Sequence, residues 1–386
     1  AASDSGSSNT DNLTNDTTPT IVGTGTPGDT IKLYAPDGTT LLGTAVVDAA
    51  GNWAITPASA LSAGLNNLQV TATDPAGNTS APGTVPVTID TTAPAAPTAV
   101  LDPSSDTGVT GDSITNDNTP TLSGTGVAGD TITIRDANGN VVATAVVDGS
   151  GNWQATPTNG LPNGLNNLSV TATDPAGNTS APAALPITID TTAPSAPAAV
   201  LASASDSGIV GDSLTNNSTP TIQGTGTPGD TIKLYAPDGT TLLGTAVVAS
   251  NGSWVITPTT AQPDGLNNFK VNATDPAGNV SPFATVPVTI DTAAPNAPAA
   301  DVAALSDTGS SNTDNITRDN TPTISGGGAT PGDTITVTMP GTGEVLRATV
   351  AANGTWSVTP TQALADGTAN VSVTATDPQG NTSANT

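Results

Sequence analysis

The sequence predicts an all-β chain of four tandem β-sandwich modules, and three observations carry that reading. A repeat with a period of about 100 residues runs through the chain. Trp53, Trp153, Trp254 and Trp356 stand in G-N-W-A, G-N-W-Q, G-S-W-V and G-T-W-S, and the aspartates of T-D-P recur as Asp74, Asp174, Asp275 and Asp377. Both series step by 100, 101 and 102 residues. Each repeat is filled with short runs of alternating apolar and polar residues, punctuated by Gly, Asn and Pro clusters, as a sandwich or barrel requires. A length of roughly 100 residues is also the ordinary size of a domain with one core. The modules are placed at 1–92, 93–192, 193–293 and 294–386, the first without the lead-in of the others and the last stopping before its final strand.

Repeat two shows the elements in order: strands are expected near 97–101, 120–125, 131–135, 141–147, 153–156, 166–173 and 185–189. In T-I-T-I-R, Ile132 and Ile134 point one way and Thr131, Thr133 and Arg135 the other, as a strand with one wet face demands. Leu168, Val170 and Ala172 repeat that alternation. Between the runs lie A-G-D, A-N-G-N, G-S-G-N, L-P-N-G and D-P-A-G-N, all suited to hairpin turns. With a Trp opening a strand in every copy, a two-sheet sandwich is favoured over a closed barrel, and the Trp is read as a core anchor. The remaining aromatics, Tyr34, Tyr235, Phe269 and Phe283, are too few and scattered for a sugar-stacking surface.

Composition excludes whole classes of function. The 32 acidic and 6 basic residues give a net charge of −26, which argues against nucleic acid or an anionic membrane as partner, since both need a basic face. Cysteine and histidine are absent, removing disulfides, thiolate chemistry, the usual zinc sites and imidazole catalysis. Paired carboxylates could hydrolyse sugars, but here they recur in every module without an aromatic cleft, so no enzyme is expected. Glycine-rich G-T-G-T-P-G and G-T-G-V-A-G lie between strands with no P-loop lysine, and nucleotide binding is rejected. No run of 18 apolar residues and no N-terminal signal segment is present, so no membrane insertion of this segment is expected.

All but one of the acids are Asp, Glu344 being the exception, and Asp is favoured both in turns and as a short ligand for hard cations. The richest motif opens each repeat as S-D-x-G followed by two further acidic positions. These are Asp4, Asp11 and Asp16; Asp106, Asp112 and Asp117; Asp206, Asp212 and the amide variant Asn217; and Asp307, Asp314 and Asp319. Several carboxylates in one loop repel one another unless a cation sits among them, and Ca²⁺ accepts six to eight oxygens in flexible geometry. Calcium is therefore expected at this loop, joined by the linker aspartates Asp90, Asp190 and Asp291 of I-D-T-T-A-P and I-D-T-A-A-P. The next module's G-D (Asp130) and D-P-A-G-N (Asp174) turns could lie beside it, although there the turn-capping reading is preferred. The loop is no EF-hand, since it lacks the terminal Glu and flanking helices. A weak extracellular site with Kd ~0.1–1 mM corresponds to about 4–5 kcal/mol at standard state.

The segments P-T-I-x-G-T-G-x-P-G-D-T-I, V-D-x-x-G-N-W-x-x-T-P, G-L-N-N-L-x-V-T-A-T-D-P-A-G-N-T-S and I-D-T-T-A-P resemble bacterial Ig-like (BIg) repeats over essentially the whole chain. Such repeats build the stalks of giant secreted adhesins, among them the biofilm-associated (Bap-like) proteins and the giant non-fimbrial adhesin of Salmonella. The resemblance implies tandem immunoglobulin-like β-sandwich domains arranged as an elongated rod, type I secretion to the cell surface, and calcium stiffening near module junctions. Expected partners are neighbouring modules of the same chain and, through other regions, a host or matrix surface, with the rod itself monomeric. Residues 23–48 and 224–249 differ only at the last position. Exchangeable copies suit a spacer better than an active site. The competing readings are that the modules themselves bind a glycan or host protein, which an aromatic patch confined to one module would favour, or that they are accessories of a secreted polysaccharide enzyme.

Overall fold

The structure, a computed structural model, describes residues 3–386. Among them there is no helix. Repeat one has seven strands: β1 (Leu13–Thr14), β2 (Ile21–Thr24), β3 (Thr30–Tyr34), β4 (Leu41–Val46), β5 (Asn52–Ile55), β6 (Gly64–Thr73) and β7 (Gly83–Ile89). They form a five-stranded sheet in the order β1-β7-β6-β3-β4 and a β2-β5 pair. Repeat two has eight: β8 (Val100–Leu101), β9 (Ile114–Thr115), β10 (Leu122–Thr125), β11 (Thr131–Arg135), β12 (Val141–Val146), β13 (Asn152–Ala155), β14 (Gly164–Thr173) and β15 (Ala183–Ile189). Its sheets run β12-β11-β14-β15-β9 and β13-β10-β8. Repeat three, β16 (Ala198–Leu201) to β23 (Ala284–Ile290), repeats this three-plus-five plan, and repeat four has two three-stranded sheets.

The alternation seen in the sequence sets each core. In β11, Ile132 and Ile134 are fully buried and pair with Ala172 and Val170 of β14, while Thr131 and Thr133 keep partial access to water. Leu122, Trp153, Leu168, Ile187 and Ile189 close the same cluster from both sheets. Each fully buried aliphatic side chain is worth about 1.5–3 kcal/mol, so one such layer outweighs any surface pairing.

The strand the sequence gives no sign of is β9, two residues lying parallel to the end of β15 (Thr188 opposite Ile114, Ile189 opposite Thr115). Two residues carry no alternation to detect. Its counterparts β1 and β17 (Leu214–Thr215) pair in the same way with the last strands of their repeats. The residue just before each is left-handed without being glycine: Asn12 and Ser113 and Ser213 have φ of 59°, 61° and 62°.

The tryptophan is a core residue in three repeats: Trp153, Trp254 and Trp356 are 2–4% exposed, whereas Trp53 is only half-buried. The lead-in explains the difference. A Cβ on Gly124 would meet the Thr98 carbonyl at 1.9 Å and the Trp153 ring at 2.8 Å, so glycine lets the lead-in and the indole close on one strand. At Gly23 only the Trp53 ring is near. Uncovered, the Trp53 Nε1–H donates to the Thr24 carbonyl at 3.2 Å.

The chain divides into two compact units, one of residues 1–192 with 276–279, the other of 193–275 with 280–386. Repeats one and two meet inside the first, and repeats three and four inside the second.

Candidate metal site at the module junctions

Within the first unit, the S-D-x-G loop of repeat one rests on the D-P-A-G-N turn of repeat two. The Ser5 hydroxyl donates to the Ala176 carbonyl at 2.7 Å and accepts the Asn15 amide at 3.0 Å. The Ser7 amide donates to the Pro175 carbonyl at 3.3 Å, and Asn178 Nδ2 donates to the carbonyl of the linker residue Asp90 at 2.8 Å. In the second unit, the Ser207 hydroxyl donates to the Gln379 carbonyl, and Asn381 Nδ2 to the Asp291 carbonyl at 2.8 Å. The 276–279 turn in the first unit receives the same bond: the Thr107 hydroxyl donates to the Ala277 carbonyl at 2.6 Å. Glycine is required next in line, because a Cβ on Gly6 or Gly208 would lie 1.9 or 1.8 Å from the carbonyl oxygen of Pro175 or Pro378.

Burial follows the contact rather than the sequence. D-P-A-G-N is identical at 74–78 and 174–178, yet Ala76 is exposed and Ala176 is 1% exposed. The hydroxyl that makes the contact escaped the sequence reading. Its trace is the position after the first aspartate, which is Ser or Thr in all four copies: Ser5, Thr107, Ser207 and Thr308.

The three acidic positions of each loop do different work. Asp11, Asp112, Asp212 and Asp314 are exposed, and each accepts the amide two residues on, from Leu13, Ile114, Leu214 and Ile316. Asp16, Asp117, Asn217 and Asp319 likewise accept from Thr18, Thr119, Thr219 and Thr321. Linker Asp90, Asp190 and Asp291 accept the amides of Thr92, Thr192 and Ala293. These are Asx turns, in which a short side chain mimics the backbone. Only the first position differs. One carboxylate oxygen of Asp106, Asp206 and Asp307 accepts from Gly111, Gly211 and Asn315. The other, Oδ1, is buried with no partner, as is Oδ1 of Asp4.

A second buried carboxylate stands in the G-D turn of repeats two, three and four, beside the aspartate of that repeat's own T-D-P turn. Asp130, Asp230 and Asp333 of the G-D turns are each 2% exposed, while Asp29 in repeat one is half-buried. Burial, reinforced by the neighbouring charge of Asp174, Asp275 or Asp377, pushes these three carboxyls above the ordinary carboxylate range. The Oδ2 atoms of Asp130 and Asp333 have no partner. A buried carboxylate oxygen without a partner costs free energy that a hydrogen bond or a cation would recover. Among the described residues, however, no three or more acidic side chains gather closely enough to hold a metal ion. The donors present are the hard oxygens that suit Ca²⁺.

Away from the junctions, Tyr235 and Phe283 of repeat three pack edge to face with centroids 5.7 Å apart. One such pair offers no platform on which several sugar rings could stack.

The fold and junctions define a chain of tandem immunoglobulin-like sandwiches. It belongs to the bacterial Ig-like domain family, whose model matches residues 1–91, 92–191, 192–292 and 294–386. No curated protein matches the chain. Among solved structures it is similar to a Ca²⁺-stabilised adhesin that helps an Antarctic bacterium reach out and bind ice (27% identity over 96% of this chain and 92% of that one, TM-score 0.34). It is also similar to a tetra-tandem repeat in the extending region of a large adhesion protein (23% identity, 97% of both chains, TM-score 0.29). A third is a 1.5-MDa bacterial ice-binding adhesin (24% identity, 71% of this chain and 90% of that one, TM-score 0.29). At TM-scores below 0.5 none of these likenesses bears on function.

Proposed function

We propose that this chain is a spacer segment of a bacterial surface adhesin, standing outside the cell and supporting adhesion and biofilm formation, with junctions that calcium stiffens. Tandem repetition supports the spacer reading: within each unit, successive repeats are locked by short polar contacts that recur from copy to copy. The observation that carries the calcium reading is the set of buried, unpartnered carboxylate oxygens on Asp4, Asp106, Asp206, Asp130 and Asp333. The unpartnered oxygens of Asp4 and Asp130 in the first unit, and of Asp206 and Asp333 in the second, are the ones a cation would engage, with the rest of its shell drawn from backbone carbonyls and water. Bound calcium would neutralise carboxylates that repel one another when bare. The hydroxyls of Ser5 and Ser207 and the amides of Asn178 and Asn381 set the junction contact itself. Linker Asp90 and Asp291 take part through their backbone carbonyls, already engaged by Asn178 and Asn381.

The deciding experiment is small-angle scattering with a melting curve, first in calcium and then in chelator. Calcium should raise the melting temperature and sharpen the maximum dimension. If neither responds, calcium has no place at these junctions. Saturable binding of this segment to a glycan array would overturn the spacer reading.

A further inference from the structure

Repeat three departs from repeat one on a single face. Residues 224–248 repeat 23–47 without a change, yet 265–291 differ from 64–90 at seven positions. Four of the seven are Lys270, Asn272, Val280 and Phe283, where repeat one has Gln69, Thr71, Thr79 and Pro82. The register gathers them. Strand β19 (Thr231–Tyr235) pairs with β22 (Gly265–Thr274), Tyr235 opposite Lys270 and Lys233 opposite Asn272. Phe269, Val271 and Ala273 fill the core, so Lys270, Asn272 and Thr274 belong to the outer face of the sheet. Val280 bridges to Thr274, and the Phe283 ring packs on Tyr235.

These replacements cost the module internal bonds. In the other repeats the hydroxyls of Thr73 and Thr79, Thr173 and Thr179, and Thr376 and Thr382 pair at 3.1 Å. Val280 removes that partner in repeat three, and Thr274 Oγ1 is left buried with none. Asn272 is 7% exposed, and its Oδ1 is likewise unpartnered. Buried polar atoms without partners are destabilising. The surface meanwhile carries two added apolar side chains, Val280 at 51% and Phe283 at 47% exposure. Local rules broken with no gain inside the module point to a use outside it.

The chemistry of the face selects its occupant. Lys233 and Lys270 are two of only six basic residues in a chain of net charge −26. Lys270 Nζ donates to Thr285 Oγ1 at 3.1 Å, which uses one of its three N–H donors. Two cations beside an aromatic pair and a valine complement an apolar side chain flanked by carboxylates. The surface is an open sheet, whereas small molecules favour clefts, and protein partners anchor on aromatic side chains of this sort. We propose that this face of repeat three docks an acidic peptide segment of another protein. Its apolar side chain rests on Val280 and Phe283, its carboxylates meet the two lysines, and it supplies a donor to Asn272 Oδ1. The proposal rests on neither the spacer reading nor calcium, and one docking module leaves the spacing role of the array intact.

The test presents the 386-residue protein to an array of synthetic dodecapeptides, each with one Leu, Phe or Trp between glutamates, beside a matched set with lysine for glutamate. Saturable binding to the glutamate set is expected, weakening with salt and at least about ten-fold weaker for the lysine set. Lys233→Gln with Lys270→Gln, and separately Phe283→Ser, should each weaken binding about ten-fold or more. Val280→Thr installs the residue of the other three repeats. It should weaken binding while slowing hydrogen exchange over residues 272–282, because the hydroxyl pair with Thr274 returns. No binding, equal binding of the lysine set, undiminished binding by the substituted proteins, or faster exchange in Val280→Thr overturns the proposal. So does binding confined to uronic-acid polymers spotted alongside, which gives the face to a glycan, or a dimer dissolved by the same substitutions, which gives it to a second copy.

Discussion

Replacing Gly208 by alanine should open the junction between repeats three and four while leaving both sandwiches folded. The added Cβ would stand 1.8 Å from the Pro378 carbonyl oxygen, an impossible approach that only separation of loop and turn relieves. Separation breaks the Ser207 and Asn381 bonds across the junction, worth about 1–3 kcal/mol together at roughly 0.5–1.5 each. Alanine at φ +71° adds its own penalty of about 1–2 kcal/mol. The two effects are separable, because Gly239 sits at φ +72° with only the Lys270 Cγ at 4.0 Å beside its would-be Cβ. Gly239→Ala therefore carries the backbone penalty without the clash. The assay is hydrogen exchange by mass spectrometry on peptides covering residues 204–217 and 375–384. Gly208→Ala should speed exchange there by about five- to 150-fold, with Gly239→Ala leaving those peptides as in the parent. Equal behaviour of the two variants would refute the argument that the carbonyl approach dictates glycine.

Three further outcomes follow from the same geometry. Burial and the neighbouring Asp377 hold the Asp333 carboxyl above the ordinary range, so between the unfolded and folded pKa values the native state binds more protons than the unfolded chain. That contribution is complete below the unfolded pKa and is lost as pH rises through the folded one; in chelator, Asp333→Asn should flatten this fall in melting temperature and, in calcium, reduce the response to the ion. Trp153→Ala should cost about 3–5 kcal/mol by denaturant titration, as for a buried large aromatic, and Trp53→Ala clearly less, because Trp53 is half-buried; equal losses would contradict the role given to the lead-in. The Asp238 carboxyl is held down to about 2 by Thr241 and Thr240 hydrogen bonds, so in an NMR titration Thr241→Val should move it back toward the ordinary value.

Alternation and period were enough to read the sandwiches. Ile132, Ile134, Leu168 and Val170 had to face one core, because side chains in a strand alternate and the apolar set must leave water. The repeated aspartates also drew attention to the module ends from composition alone. Which aspartates keep a free oxygen was not legible. Asp11 and Asp16 carry the same side chain as Asp4, yet each finds an amide two residues away, a local bond that short-range sequence allows but does not enforce. Asp130 reads as an ordinary turn residue and is distinguished only by burial next to Asp174.

What the sequence by itself determined was the number of modules, their longer alternating strands and the polar turns between them, since these depend on residue period and local turn chemistry; the two-residue parallel strands β1, β9 and β17 came only from the tertiary structure. Only the tertiary structure decided which turn is covered. The two D-P-A-G-N copies at 74–78 and 174–178 have the same local chemistry and opposite exposure, because desolvation is set by whatever packs from outside the segment. The same holds for the half-buried Trp53 and the buried carboxylates of the G-D turns, each defined by a neighbour whose presence no local window of sequence encodes.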